Sequence, residues 1–201
     1  MKVYQELTLL PGDDIGHYFL WSKVYTQLHL ALVETQRDNN LTDIGISFPQ
    51  YDLNKGLGRK LRVFAPSSER LQALDLPGKL LRLLDYVHIT SIRDVPESVE
   101  GYMRVSRWRE KTGIERRARR SAMKKGTSYE AALAQWQERG FTDFIPKSPY
   151  VQLQSLSNSN RFRINIRVEE VEEVEEVEEV ESGEGGFSVY GLSKGGRVPK
   201  F

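Results

Sequence analysis

The first 92 residues switch between two hydrophobic periods, and the order of these switches limits the possible folds. VYQELTLL, from Val3, alternates apolar and polar residues as a strand does, whereas residues 15–37 repeat apolar residues at helical spacing. Further strands are predicted at 44–49, 60–65 and 86–92, and a helix from 66 to about 84 with a kink near Pro77-Gly78. The order β-α-β-β-α-β is the ferredoxin-like pattern, so we predict an α+β protein with a ferredoxin-like domain at 1–94.

VPESVEG, residues 95–101, is the predicted connector to a second domain at 95–201. The patterns after it predict a strand at 102–108, helices at 114–125 and 128–139, a small hairpin of strands at 150–157 and 161–168, and a strand followed by a Gly-rich loop over 187–201. The hairpin would turn at Asn158-Ser159-Asn160, because these residue types favour turns.

Opposite charges are segregated along the chain, so the net charge of +1 is misleading. VSRWREKTGIERRARRSAMKK, residues 105–125, holds nine Lys or Arg and two Glu, whereas residues 168–184 hold ten Glu and no base. Without those ten Glu, 29 basic residues face 18 acidic ones, a net charge of +11. Such an excess is typical of proteins that bind nucleic acid.

The acidic segment repeats VEE with a period of three residues. Its valines, from Val168 to Val180, would wind around a helix rather than line one face, and they do not alternate as in a strand. We therefore predict a solvated extension between two C-terminal strands. The alternative is an acidic lid, or RNA mimic, that occupies the basic surface.

Six cations surround most of the helix predicted at 114–125. They are Arg116, Arg117, Arg119, Arg120, Lys124 and Lys125. The only apolar seam is formed by Ile114, Ala118, Ala122 and Met123, so this helix would gain little from packing on its own protein. Polyphosphate suits it better, because each neutralised phosphate releases counterions. The alternative is a solvated helix with internal ion pairs.

Arg107 and Arg109 flank Trp108 in an extended segment, which suits bidentate contact with guanine. Ordinary surface arginines are the alternative. Charge does not separate RNA from DNA, so a transcription factor that binds duplex DNA through the basic helix is a further alternative. A helix-turn-helix is not indicated, because no shorter helix precedes the basic one across a tight turn.

Few residues could carry chemistry. The absence of Cys excludes disulfides and thiolate metal sites and fits a reducing compartment, and no HExxH motif is present. Neither a signal peptide nor a membrane span is indicated, so we expect a soluble, cytoplasmic protein without a membrane partner. His29 lies beside the core stripe of the first helix, where a packing role is the alternative to catalysis. GLSKGG, residues 191–196, could cradle an anion with backbone N–H groups and Lys194, unless it is an ordinary turn.

Five motifs occur in an order typical of one family: QLH on the first helix, IGISFP, VSR before the Arg-rich helix, LxSxS followed by NRFRINIR, and YGLSKGGRVPKF. Over nearly its whole length the chain resembles the CRISPR-associated pre-crRNA endoribonucleases of type I-F systems (subtype Ypest). The resemblance implies an enzyme without metal or cofactor. It would cut CRISPR repeat RNA at the 3′ base of the stem-loop by 2′-hydroxyl attack, leaving a 2′,3′-cyclic phosphate and a 5′-hydroxyl.

The resemblance also implies the catalytic residues. His29 matches the catalytic histidine, as base, acid or both; a free imidazole titrates at about pH 6.5 and can take a proton near neutrality. Ser155 is expected to hold the attacking ribose, and Tyr190 to orient the histidine. The product would stay bound as the crRNA 3′ handle, with other subunits of a type I-F surveillance complex, and the free protein would be a monomer. The alternative is a non-catalytic subunit that binds the RNA hairpin.

Residues for RNA binding follow from the charge pattern and the resemblance together. They are Arg107, Arg109, Arg116, Arg117, Arg119, Arg120, Lys124, Ser157, Phe162 and Lys194. Arg107 would read the guanine at the base of the stem, and Arg109 stands where some relatives have a Gln that pairs with adenine. Phe162 would stack under the terminal base pair, although a place in the core is its alternative.

Overall fold

The computed structural model describes residues 1–12, 15–39, 42–108, 114–140, 148–154, 160–171 and 186–201. Contacts between Cα atoms divide the chain into two compact units, one of Met1–Trp108 with Ser148–Phe201 and the other of Arg109–Lys147. The division after residue 94 lies within the first unit and stays a prediction. None of the helices in the described ranges combines the length and the apolar composition needed to cross a membrane.

The larger unit begins with an antiparallel sheet packed on a long helix. Its elements are β1 (Val3–Leu9), α1 (His17–Asn39), β2 (Gly45–Ser47), β3 (Lys60–Ala65), α2 (Ser68–Leu74), α3 (Leu76–Lys79), β4 (Val87–Ile89) and β5 (Arg93–Asp94). The strand order is β2-β3-β1-β4, and β5 also pairs with β1. Every second residue of β1 is buried, and its apolar side chains share one core with the buried stripe of α1. The predicted α+β class is confirmed.

The helix predicted from 66 to 84 is interrupted, and the break lies earlier than the predicted kink. Asp75 separates α2 from α3 with a left-handed backbone, at φ 46°. Its carboxylate accepts a hydrogen bond from the Gly78 backbone N–H at 3.2 Å. Asp tolerates this conformation and caps the next helix, whose first turn contains Pro77. A 3₁₀ turn at Leu81–Leu83 completes the segment.

A second antiparallel sheet completes the larger unit. It is formed by β6 (Gly101–Trp108), β7 (Tyr150–Gln154), β8 (Arg161–Val171) and β9 (Val198–Lys200), in the order β7-β8-β6-β9. The predicted hairpin is confirmed as the antiparallel pair β7 and β8, with Val151 opposite Ile164. The predicted turn at 158–160 lies outside the described residues except for Asn160.

The strand β8 extends into the acidic repeat, so the prediction of a solvated extension is wrong for its first unit. Val168 lies opposite Val105, and Glu170 lies opposite Met103. The Glu170 carboxylate accepts a hydrogen bond from Lys200 Nζ at 2.7 Å. Pairing with β6 therefore imposes strand geometry on residues whose period of three does not favour it. Residues 172–185 lie outside the described part of the chain.

The C-terminal segment has its strand after the Gly-rich loop rather than before it. Phe187 forms only an isolated bridge with Ser193, whereas β9 pairs with β6 and places Val198 opposite Met103. Gly191 has φ +69°, which glycine adopts without steric cost, and this turn lets residues 187–193 fold back on themselves. The predicted order of strand and loop is therefore wrong.

The described residues of the smaller unit, 114–140, form two helices, α4 (Ile114–Lys125) and α5 (Tyr129–Glu138), and both were predicted. Ser128 caps α5 by accepting a hydrogen bond from the Ala131 backbone N–H at 3.2 Å. Ile114 and Ala118 are buried, whereas the predicted seam residue Met123 is 88% exposed. The apolar seam of α4 is thus shorter than predicted.

Candidate active site

His29 and Tyr190 lie against each other, although 160 residues separate them along the chain. Their rings stack with centroids 4.2 Å apart and an angle of 15° between the ring planes. His29 is half-buried on α1, one residue after the buried Leu28. The third predicted catalytic residue, Ser155, lies outside the described residues. The structure therefore brings together two of the three predicted catalytic residues, His29 and Tyr190.

A backbone carbonyl defines the tautomer of the His29 ring. Its Nδ1 atom lies 2.9 Å from the Val189 carbonyl oxygen. Because a carbonyl can only accept a hydrogen bond, Nδ1 carries a hydrogen and donates it. In the neutral ring Nε2 then has the free lone pair. The ring is held by a stack and a hydrogen bond, and among the described residues Nε2 has no hydrogen-bond partner and can accept a proton.

Tyr25 supports the same segment from the core, and the sequence patterns did not single it out. Its hydroxyl donates a hydrogen bond to the Tyr190 carbonyl oxygen at 2.8 Å. Burial raises the pKa of the Tyr25 phenol well above its usual value, so this group stays a neutral donor. Its position four residues before His29, on the same face of α1, was the available signal.

Gly191 fixes the turn that follows Tyr190. Its carbonyl accepts a hydrogen bond from the Ile46 backbone N–H at 3.0 Å. A Cβ atom at this position would lie 2.7 Å from Ile46 Cγ2, and the positive φ also disfavours any other residue. The close approach to β2 therefore needs glycine, and it positions the two residues that contact His29.

Of the two alternatives for GLSKGG, the structure favours the ordinary turn over the phosphate cradle for most of the backbone. The N–H of Ser193 donates to Val105 at 2.7 Å, and those of Lys194 and Gly196 both donate to the Gly186 carbonyl at 2.8 Å. These hydrogen bonds attach Ser193 to β6 and close the loop between Gly186 and Gly196. The same N–H groups therefore cannot also bind an anion. The exposed Lys194 side chain is still available for that role.

The predicted RNA-binding residues of the larger unit differ in exposure. Arg107 is exposed on β6, opposite Ile166 of β8. Phe162 is half-buried and packs against the core, so its ring is only partly accessible. Arg109 and Ser157 lie outside the described residues.

The smaller unit presents most of its predicted RNA-binding residues to solvent. Arg116, Arg119, Arg120 and Lys124 are exposed on α4. Arg117 instead is half-buried and places its guanidinium over the Trp136 ring of α5, 5.4 Å from the centroid. This contact gives Arg117 a packing role within the helix pair.

Replacing Tyr25 with Phe is expected to lower the free energy of unfolding by about 1–2 kcal/mol, because the Tyr190 carbonyl loses its donor inside the protein. Urea denaturation of both proteins measures the difference. Tyr86→Phe, at a tyrosine that is 40% exposed, is the matched control and should leave stability unchanged. Equal stability of Tyr25→Phe and the unsubstituted protein would contradict the assigned role of the hydrogen bond.

The fold and the oriented imidazole define an α+β protein equipped for proton transfer. The family model described as "CRISPR-associated protein (Cas_Csy4)" matches residues 4–201. A curated "CRISPR-associated endonuclease Cas6/Csy4" of Pseudomonas aeruginosa (strain UCBPP-PA14) is 34% identical over 205 residues. One of the same name from Escherichia coli (strain UTI89 / UPEC) is 31% identical over 203 residues. Both matches cover 100% of each chain.

The chain therefore belongs to the Cas_Csy4 family of CRISPR-associated proteins. The predicted family and the predicted enzyme class, a CRISPR-associated endonuclease, are confirmed. A solved structure described as "An RAMP protein binding different RNA substrates" is similar with a TM-score of 0.29 and 12% identity, over 84% of this chain and 87% of that chain. A TM-score this low supports neither a shared fold nor a shared function.

Proposed function

We propose that this chain cuts CRISPR repeat RNA once, at the 3′ base of its stem-loop, without a metal ion. The observation that carries the proposal is the His29 ring, stacked on Tyr190 and hydrogen-bonded through Nδ1 to the Val189 carbonyl. A ring held in this way presents Nε2 as a proton acceptor in a defined direction. The endonuclease activity named for both full-length relatives supports the same conclusion.

The reaction is a transesterification within the RNA. His29 Nε2 takes the proton of the 2′-hydroxyl before the cut, and the 2′-oxygen attacks the adjacent phosphorus. The bond from phosphorus to the 5′-oxygen breaks, and that oxygen receives a proton from the imidazolium or from water. The products are a 2′,3′-cyclic phosphate and a 5′-hydroxyl. In this proposal Ser155 holds the attacking ribose, and Tyr190 keeps the imidazole in place.

RNA binding is proposed for both halves of the chain. The exposed cations of α4 would neutralise phosphates of the stem, and Arg107 would read the guanine at its base. Arg109, Ser157, Phe162 and Lys194 are proposed to contact the RNA as well. A helix enters the major groove of RNA most easily near the end of a duplex, which fits a short stem-loop.

The domain organisation and the partners belong to the proposal as well. The antiparallel order β2-β3-β1-β4, with helices between β1 and β2 and between β3 and β4, supports a ferredoxin-like domain at 1–94. Residues 95–201 would be the RNA-binding domain. We infer that the free protein is a monomer and that it keeps the cut hairpin, as the 3′ handle of the crRNA, within a surveillance complex.

Cleavage in the presence of a chelator tests the proposal. The protein's own repeat RNA, labelled at the 5′ end, is expected to be cut at one position in EDTA, at the same rate as with Mg²⁺. The labelled product should migrate as a cyclic phosphate and gain a removable terminal phosphate only after acid opening of the ring. Cleavage that needs Mg²⁺ would overturn the mechanism. Tight binding without any cut would indicate a silent hairpin-binding subunit.

A further inference from the structure

The role proposed for Arg107 depends on how firmly the end of β6 is held. Arg107 is exposed, and its partner in the register of the two strands is Ile166 of β8. Bidentate contact with a base needs a guanidinium fixed in direction, because both hydrogen bonds must form at once. The backbone of β8 opposite Arg107 therefore affects how well this residue can discriminate guanine.

The ladder between β7 and β8 lacks one hydrogen bond at this position. The last pair of the β7–β8 register is Asn165 with Tyr150. One step further, the Ile166 backbone N–H donates to the Pro149 carbonyl at 2.8 Å. In a regular antiparallel pair the opposite residue returns a hydrogen bond from its own N–H, but proline has none. The buried Ile166 carbonyl therefore needs a donor from another part of the protein.

Tyr51 supplies this donor from the segment between β2 and β3. Its hydroxyl donates a hydrogen bond to the Ile166 carbonyl at 3.2 Å. Burial raises the pKa of the Tyr51 phenol, so the group stays a neutral donor. The Tyr51 side chain also packs against the core that contains Ile166. Tyr51 thus takes the place of the missing N–H, at the residue opposite Arg107.

The loop that carries Tyr51 is fixed by hydrogen bonds of its own. Asp52 and Gly56 exchange two backbone hydrogen bonds of 2.8 Å. At the end of the loop, the Gly58 carbonyl accepts a hydrogen bond from the indole N–H of the buried Trp21 at 2.8 Å. A hydroxyl on a loop held at both places is directed before any ligand binds.

We propose that Tyr51 is a positioning residue for base recognition, because its hydroxyl fixes the part of β8 that holds Arg107 towards the guanine at the base of the stem. This assignment rests on the proposed function. Tyr51 acts through the backbone of β8 and does not contact the RNA itself. Loss of its hydroxyl loosens the direction of Arg107 and weakens the guanine contact, whereas phosphate contacts from α4 are unaffected. The expected signature is a loss of base preference rather than of overall affinity.

The test measures base preference on an RNA that cannot be cut. Two repeat hairpins carry a 2′-deoxy nucleotide before the scissile phosphate; one keeps the G–C pair at the base of the stem, and the other has A–U there. The unsubstituted protein is expected to bind the G–C hairpin about 10-fold more tightly. In Tyr51→Phe this preference should fall to about two-fold, the effect of losing one hydrogen bond, with the affinity for the A–U hairpin unchanged. Tyr86→Phe, at a tyrosine that is 40% exposed, should keep the full preference.

Pro149→Ala offers a rescue, because it supplies the N–H that the ladder lacks. Added to Tyr51→Phe, it is expected to restore the full preference, since the new backbone N–H faces the Ile166 carbonyl. Pro149→Ala alone should leave the preference unchanged. A merely structural role of Tyr51 would change the stability of the protein, or its affinity for both hairpins together, and would leave their ratio intact.

Two results would contradict the assignment: a full preference in Tyr51→Phe, or a lost preference that Pro149→Ala does not restore. Arg107→Ala separates this failure from that of the proposed function. If Arg107→Ala abolishes the preference while Tyr51→Phe keeps it, only the role of Tyr51 fails. If Arg107→Ala keeps the preference, or the unsubstituted protein has none, the base recognition proposed for Arg107 fails and the role of Tyr51 fails with it. Cleavage of the all-ribose hairpin in EDTA tests the proposed mechanism independently of both.

Discussion

A His29→Ala protein is expected to bind the repeat hairpin as tightly as the unsubstituted protein and to cut it about 10²–10⁴-fold more slowly. In the proposed mechanism the imidazole accepts the proton of the nucleophile, so its removal slows the chemical step. Hairpin affinity is proposed to depend instead on cations elsewhere in the chain. Single-turnover cleavage rates and dissociation constants for the 2′-deoxy hairpin measure the two effects separately.

Two further variants separate proton transfer from packing. His29→Phe keeps an aromatic ring against Tyr190 but has no nitrogen, so it should cut as slowly as His29→Ala. His88→Ala changes an exposed histidine on β4 and should cut at the full rate. Full cleavage by His29→Phe would mean that the His29 ring only packs against Tyr190 and does not transfer a proton. Full activity in His29→Ala would remove His29 from the site.

A repeat RNA with a single 2′-deoxy nucleotide before the scissile phosphate is expected to bind normally and to remain uncut. In the proposed reaction the 2′-oxygen of that nucleotide is the nucleophile, so the substitution removes a reactant rather than weakening a contact. No change in protein concentration or incubation time should restore the product. A gel with 5′-labelled RNA checks this, together with the dissociation constant of the same RNA.

The position of the deoxy substitution supplies the control. A deoxy nucleotide one step further to the 5′ side leaves the nucleophile intact, and that RNA should be cut at the usual position. Cleavage of the first RNA at an unchanged rate would mean that water attacks the phosphate. The product would then carry an ordinary terminal phosphate, and His29 would act on a water molecule instead of a ribose.

Local patterns predicted the elements whose period matches their final structure. The strand from Val3, the long helix that carries His29 and the basic helix at 114–125 were predicted within a few residues. Where a capping side chain or a long-range strand partner outweighs the hydrophobic period, the structure differs from the prediction. The segment 66–84 breaks at Asp75 because the Asp side chain caps a new helix, and Val168–Val171 form a strand because β6 offers a partner.

The site could be predicted only in part, for the same reason. Motif order led to His29 and Tyr190, which stack in the structure. It did not indicate Tyr25, whose role depends on a hydrogen bond to a carbonyl 165 residues away. For the GLSKGG loop the choice between a cradle and an ordinary turn stayed open, because its backbone partners cannot be read from its own residues.

The sequence by itself determined which residues carry charge and which are able to transfer a proton. Segregated charges, the α+β class and the family follow from it, because composition, period and motif order are properties of the chain alone. Only the tertiary structure decided which nitrogen of His29 donates to the Val189 carbonyl and how the segment that contains Tyr190 reaches α1. Gly191 meets Ile46 of β2, and the Val189 carbonyl meets His29, only after the sheets have formed. Such contacts join distant segments, so they depend on packing rather than on any local pattern.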